Sequence, residues 1–261
     1  PRLSKSILNS KDSVVFHQNI YTGKGHQYLD TDVLGTPLRA GDNSYSYFMV
    51  YTASKGNDRT NRMLYSQGVG IEQAGRLSSI HLGSLNQFGF NSDDAIYSSY
   101  LSYATPDEGH VASMVMDGNG DVGAPDRLLY ALNGQKEEVL GFGSAGISMG
   151  GYKSRIGANF VSELSGNSYI FGEGFKGKIA EVIVLDCAVS DSDRYKIQYY
   201  LSKKWGLTGM VDSDEDGVYD FMDVLPMDPD YHVEKRTLRD EIVSVLGSDY
   251  AVPGLDAVAD K

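Results

Sequence analysis

Up to about residue 186, short apolar runs alternate with clusters of glycine, asparagine, aspartate and serine, and no long helical pattern comes between them. That spacing constrains the fold more than any other feature, because short strands joined by tight turns bury their apolar faces by stacking. Candidate strands are SVVFHQ (13–18), YSYFMVYTA (45–53), RMLYSQG (62–68), SSIHLGS (78–84), HVASMVMD (110–117), RLLYALNG (127–134), SRIGANF (154–160) and KIAEVIVLD (178–186). In YSYFMVYTA, Tyr45, Tyr47, Met49 and Tyr51 face one side, while Ser46, Phe48 and Val50 face the other. Apolar groups on both faces suit a strand inside a two-layer sandwich. The expectation is an all-β, antiparallel β-sandwich or jelly roll.

The period then changes. In SDSDRYKIQYYLSKKWGL, Ser190 stands where an N-cap belongs and Asp193 follows three residues later. Ile197, Leu201 and Trp205 recur at i, i+4 and i+8, and Gly206 supplies the stop. A second short helix is expected in TLRDEIVSVLG, capped by Thr237, with Leu238, Ile242, Val245 and Leu246 as its apolar face. No internal repeat is present.

Net charge is −12, which disfavours nucleic acid and anionic membranes as partners and suits divalent cations, neutral glycans or basic protein surfaces. The one cysteine, Cys187, rules out an internal disulfide, and its expected role is that of a small buried hydrophobe. No apolar run reaches the length of a membrane span. The chain opens at Pro1, which suggests a processed product or an excised piece.

Between the two helices lies DSDEDGVYDFMD (212–223), with five aspartates and a glutamate in twelve residues. Counting Asp212 as the first place, Asp214, Asp216, Asp220 and Asp223 fall third, fifth, ninth and twelfth, Gly217 sixth, and Val218 seventh. Calcium takes six to eight oxygens, and such a loop offers carboxylates at odd early places, a sharp glycine turn and a backbone carbonyl at the seventh. The expected ligands are therefore Asp212, Asp214, Asp216, Val218, Asp220 and Asp223, and the expected cofactor is Ca2+. An EF-hand would carry glutamate at the twelfth place. The run D-x-D-x-D-G-V-x-D-x-x-D-x-x-P-x-D-P, Asp212 to Pro229, instead resembles the thrombospondin type 3 repeat of bacterial surface proteins. That resemblance implies a calcium-stiffened linker, here without the cysteines of the animal version.

FKGKIAEVIVLDCAVSDSDRYKIQYYLSKKWGL (175–207) resembles the end of a laminin G-like, concanavalin A-like domain of bacterial extracellular proteins. DSVVFHQN with HQYLDTD, YFMVYTA, the HVASMVMD and LLYALNGQ hairpin, and RIGAN follow in that family's order. The resemblance implies a concanavalin A-like jelly roll over 1–208, a calcium-binding linker over 209–230, and a helical C-terminal extension over 231–261 leading to a further module. The family's opening strand, of the type L-x-L-W-L-D-A, does not precede Pro1, and PGLDAVADK resembles the lead-in to such a strand. A piece of a tandem array is the expectation; a first strand donated by a neighbouring subunit is the alternative.

Glucanases of this fold set two carboxylates about 5–5.5 Å apart through E-x-D-x-x-E, a motif the chain lacks. Glu72, Glu108, Glu163, Glu173 and Glu181 have no acidic partner at strand spacing, adjacent Glu137 and Glu138 would face opposite sides, and the five histidines form no ligand pair. The expectation is no enzyme, with Glu181 a structural hydrogen-bonding carboxylate. The chain has 18 tyrosines, so rings such as Tyr97, Tyr100 and Tyr103 could line a ligand rim, although core packing claims most of them. DGNGD places Asp117, Asn119 and Asp121 like the start of a calcium loop, but Leu128 at the twelfth place favours a glycine-rich turn.

The favoured reading is a non-catalytic extracellular recognition module of a bacterial secreted or surface protein, binding a carbohydrate or protein ligand in adhesion. The alternatives are a structural subunit or spacer of a surface assembly, and an ancillary module of a polysaccharide-degrading enzyme.

Overall fold

The structure, a computed structural model, describes residues 1–16, 29–30, 44–54, 62–68, 77–82, 87–92, 95–118, 127–140, 154–158, 163–164, 167–168 and 174–231. In chain order the strands are β1 (Arg2–Leu8), β2 (Lys11–Phe16), β3 (Leu29–Asp30), β4 (Tyr45–Ala53), β5 (Arg62–Gly68), β6 (Leu77–Leu82), β7 (Gln87–Ser92) and β8 (Ala95–Tyr103). They continue with β9 (Gly109–Asp117), β10 (Arg127–Leu132), β11 (Gln135–Leu140), β12 (Ser154–Ile156), β13 (Glu163–Leu164), β14 (Asn167–Ser168) and β15 (Gly177–Leu185); helix α1 (Asp191–Trp205) follows. One sheet runs β1-β2-β15-β4-β9-β10-β11 and the other β3-β12-β5-β6-β7-β8, while β13 and β14 pair by themselves. Neighbours are antiparallel throughout. The fold is an all-β antiparallel sandwich of jelly-roll type.

All nine residues of β4 are buried. Tyr45, Tyr47, Met49 and Tyr51 enter the core between the sheets, against Met114, Leu128 and Tyr130 of their own sheet and Leu64 and Tyr65 of the other. Phe48 and Val50 point outward, onto Leu201, Trp205, Leu207 and Val211. The two apolar faces of this strand therefore serve three layers rather than two, because α1 and the segment after it cover the outer face of the larger sheet. Each large side chain buried in that second core contributes about 1.5–3 kcal/mol.

Helix α1 starts and stops as its sequence implies. The Asp193 amide donates to Ser190 Oγ (3.2 Å), the Ser190 hydroxyl donates to the Asp193 carboxylate (3.0 Å), and Gly206 closes the helix in the left-handed region (φ 71°). Cys187 departs from expectation: it is exposed, at a strand end, and its carbonyl accepts from Ser46 Oγ (2.8 Å). Seven strands lie outside the candidates read from the sequence: β1, β3, β7, β8, β11, β13 and β14. Among them, β11 (QKEEVL) carries charges on both faces, and the serine-rich β8 (AIYSSYLSY) has too little apolar alternation to mark itself as a strand. The second helix expected at 237–247 lies outside the described residues.

Candidate metal loop and its bed

The acidic loop folds tightly on itself. Asp212 accepts the Glu215 amide (2.8 Å) and the Gly217 amide (2.9 Å), while Asp216 accepts that of Val218 (2.7 Å). Glu215 and Gly217 take left-handed backbone angles (φ 68° and 96°), which turn the chain so sharply that alternate side chains converge. Ligand atoms of Asp212, Asp214 and Asp216 consequently lie within 4.8 Å of one another.

Asp214 carries the chemical tension. It is 1% exposed, and neither carboxylate oxygen has a hydrogen-bond partner. Burial, followed by the charges of Asp216, Asp223 and Asp212, pushes its carboxyl up to about 7; a loose approach of the Asp216 amide offsets only part of this. Burial and the Asp216 charge also raise Asp212. A buried, unsatisfied carboxylate among like charges is costly without a cation. Bare carboxylate oxygens this close together could hold a hard cation, whose charge would offset their own.

Of the remaining expected ligands, Asp223 is fully buried and lies near enough to raise Asp214. Val218 sits at the turn with its amide on Asp216. Asp220 is held apart from the converging three: it accepts the Ser213 amide (2.7 Å), the Ser213 hydroxyl (2.9 Å) and the Ser202 hydroxyl. Burial pushes its carboxyl up to about 6 despite these bonds. Asp220 therefore ties the loop to α1.

That tie is one of several. Along α1, Arg194, Gln198 and Ser202 recur at i, i+4 and i+8 and are fully buried, forming a polar stripe beside the apolar one. Arg194 donates to Glu215, Gln198 donates to the Ser213 carbonyl (2.8 Å) and accepts from Ser113 Oγ of β9 (3.1 Å), and Ser202 donates to Asp220. Lys136 of β11 reaches Glu215 from the other side (2.5 Å). At the β10–β11 turn, Asn133 and Gly134 both have positive φ (53° and 88°), and the Asp212 amide donates to the Asn133 carbonyl (3.2 Å). A Cβ on Gly134 would stand 1.8 Å from the Asp212 carbonyl oxygen. The loop thus packs directly on the sandwich. The sequence signal for this bed is a polar residue at every fourth position of the helix, Arg194, Gln198 and Ser202, beside its apolar stripe.

Glu181 has the structural role expected of it, by a route the sequence did not show. The β15–β4 register shifts between Ile179 and Glu181, so Glu181 pairs with the outward Val50 rather than following Ile179 into the core. This bulge delivers the carboxylate to α1, where it accepts from Trp205 Nε1 (2.6 Å) and Lys204 Nζ (2.8 Å). Glu138 pairs with Arg127 on the outer face, and Glu137 accepts from Tyr130 (2.7 Å) on the inner.

At the weaker candidate, Asp117 accepts from Ser44 Oγ (3.0 Å), while Asn119 and Asp121 lie outside the described residues. Tyr97, Tyr100 and Tyr103 fall on β8, an edge strand, and their side chains are outside the described set. No described helix is long and apolar enough to cross a membrane.

No protein-family model matches the sequence, and no curated protein matches it. Solved structures with a similar sandwich include a heptameric SAP-like pentraxin from Limulus polyphemus (TM-score 0.49, 14% identity, covering 68% of this chain and 77% of that one). Another is NanB sialidase from Streptococcus pneumoniae (TM-score 0.48, 18% identity), where the match covers 69% of this chain but 26% of the sialidase. A third is domain 4 of AbnA, an extracellular arabinanase from Geobacillus stearothermophilus, in complex with arabinotriose (TM-score 0.46, 13% identity, covering 73% and 78%).

Proposed function

We propose that this chain is a non-catalytic extracellular recognition module of a bacterial secreted or surface protein, with a calcium ion held by the acidic loop. The observation that carries the calcium assignment is Asp214, buried with two unpartnered oxygens inside a cluster of converging carboxylates. Asp212, Asp214 and Asp216 would form the heart of the site, with Asp223 and the Val218 carbonyl completing it. Calcium supplies the charge that lets the cluster stay ionised and closed. Because the loop is bonded to α1 and the β10–β11 turn, closing it stiffens the sandwich's outer face as well as the link to whatever follows. The thrombospondin type 3-like character of the loop and its boundaries at 209–230 belong to the same proposal.

Calcium titration by calorimetry, with thermal melting in EGTA and in millimolar calcium, tests the first half. The expected result is saturable binding and a melting temperature several degrees higher in calcium; identical melts refute it. A glycan and protein-ligand array in both buffers tests the second half. A spacer or subunit role is the second reading, favoured by the exposed apolar side chains of Phe221, Val224, Leu225, Met227 and Tyr231. Reversible self-association in sedimentation velocity, with an empty array, would select it.

A further inference from the structure

A cleft of about 480 Å³ opens between the β10–β11 turn and the acidic loop. Asn133, Gly134 and Gln135 form one wall, Asp212 and Glu215 the other, and the exposed ring of Tyr219 stands at its mouth. Resting on the recognition reading above, we infer that this cleft binds a neutral saccharide and that the calcium loop forms one wall of the site.

The size suits one or two sugar rings, since small-ligand sites span roughly 300–1,000 Å³. Its charges narrow the ligand further. An anionic ligand finds no lysine or arginine in the lining and approaches a chain of net charge −12. A cationic ligand finds those carboxylates engaged, Glu215 by Arg194 and Lys136, Asp212 by two backbone amides. His110, at the floor, adds no charge: Nε2 donates to the Thr105 carbonyl (2.9 Å), Nδ1 accepts from Asn133 (3.0 Å), and burial lowers its pKa. What the cleft presents is an uncharged polar surface with an aromatic face at its edge, the combination that takes hydroxyl-rich, uncharged rings. The wall made by Asp212 and Glu215 keeps its shape only while the carboxylate cluster is closed, so saccharide affinity depends on calcium.

The test uses the whole chain with Tyr219→Ala, Gln135→Ala and, as a control away from the cleft, Tyr200→Ala, another exposed tyrosine. Each is screened against arrays of neutral, sialylated and sulfated glycans, and each is titrated separately with terbium as a calcium probe. Expected are neutral-glycan hits for the wild type and Tyr200→Ala, weakened at least tenfold in EGTA. Tyr219→Ala and Gln135→Ala should lose them at least tenfold while keeping wild-type terbium binding and calcium-induced melting gain. Undiminished binding by both cleft variants, hits confined to acidic glycans, or an empty array would each overturn the inference while leaving the calcium assignment to stand on the terbium result. Absent terbium binding would refute the calcium assignment itself, and hits unchanged in EGTA would overturn the calcium-dependent wall.

Discussion

Asp214→Asn should change the sign of its effect with calcium. A carboxyl raised to about 7 from the ordinary value near 3.9 represents at most ~4 kcal/mol of destabilisation at neutral pH. Local relaxation and water penetration around the carboxylates relieve part of this, leaving about 1–2 kcal/mol. The amide keeps the shape and removes the charge. In EGTA at pH 7.5 the variant should therefore be more stable than wild type by about 1–2 kcal/mol, or roughly 3–6 °C for a chain of this size. In calcium the order reverses, because losing one charged ligand weakens the site. Saturation at a hundredfold excess over Kd is worth ~2.7 kcal/mol to the wild type, and most of that gain should vanish. Urea unfolding in matched buffers, with calcium titration by calorimetry, measures both halves. If Asp214→Asn melts below wild type in EGTA, or keeps the full calcium gain, the account of Asp214 as a charge stored for a cation is wrong.

Other outcomes follow from the same contacts. Arg194→Met removes the buried partner of Glu215 and should cost about 3–5 kcal/mol, read by urea unfolding; an effect under 1 kcal/mol would mean the loop does not depend on that pair. Gly134→Ala forces a Cβ onto the Asp212 carbonyl at a positive φ, and should cost at least about 2 kcal/mol while lowering calcium affinity. Glu181→Gln weakens its bonds to Lys204 and Trp205, and should cost about 1–3 kcal/mol. Because Trp205 is the chain's single tryptophan, its emission should report this directly. His110 is held neutral by burial, so its folded pKa lies below the unfolded value. The unfolded chain then binds the proton first, and stability falls as the pH drops through ~6.5, by up to ~1.4 kcal/mol per pH unit. His110→Gln should remove that component from urea unfolding measured between pH 5 and 8, and an unchanged slope would contradict it.

Much of this molecule follows from local pattern. The alternation in β4, β9, β10 and β15, the Ser190 and Gly206 caps, and the spacing of Asp212, Asp214 and Asp216 each act over a few residues, where side-chain period and turn geometry are set by the backbone itself. The strands β1, β7, β8 and β11 are not evident in the sequence because they carry polar groups on positions that only a neighbouring strand makes acceptable, and β3, β13 and β14 are two-residue strands too short to show a period.

Two decisions belonged to tertiary structure alone. One was the parity of Glu181: a bulge opposite Tyr51 and Val50 turned its carboxylate from the core to Trp205, and nothing in KIAEVIVLD signals the extra residue. The other was the fate of the acidic loop, whose spacing suggested a cation site but not its bed. Arg194, Gln198 and Ser202 look like an ordinary polar helix face until Glu215, the Ser213 carbonyl and Asp220 pack against them. Spacing along the chain determines which oxygens can converge. Whether a buried charge finds its partner depends on segments that meet only after the sandwich has closed.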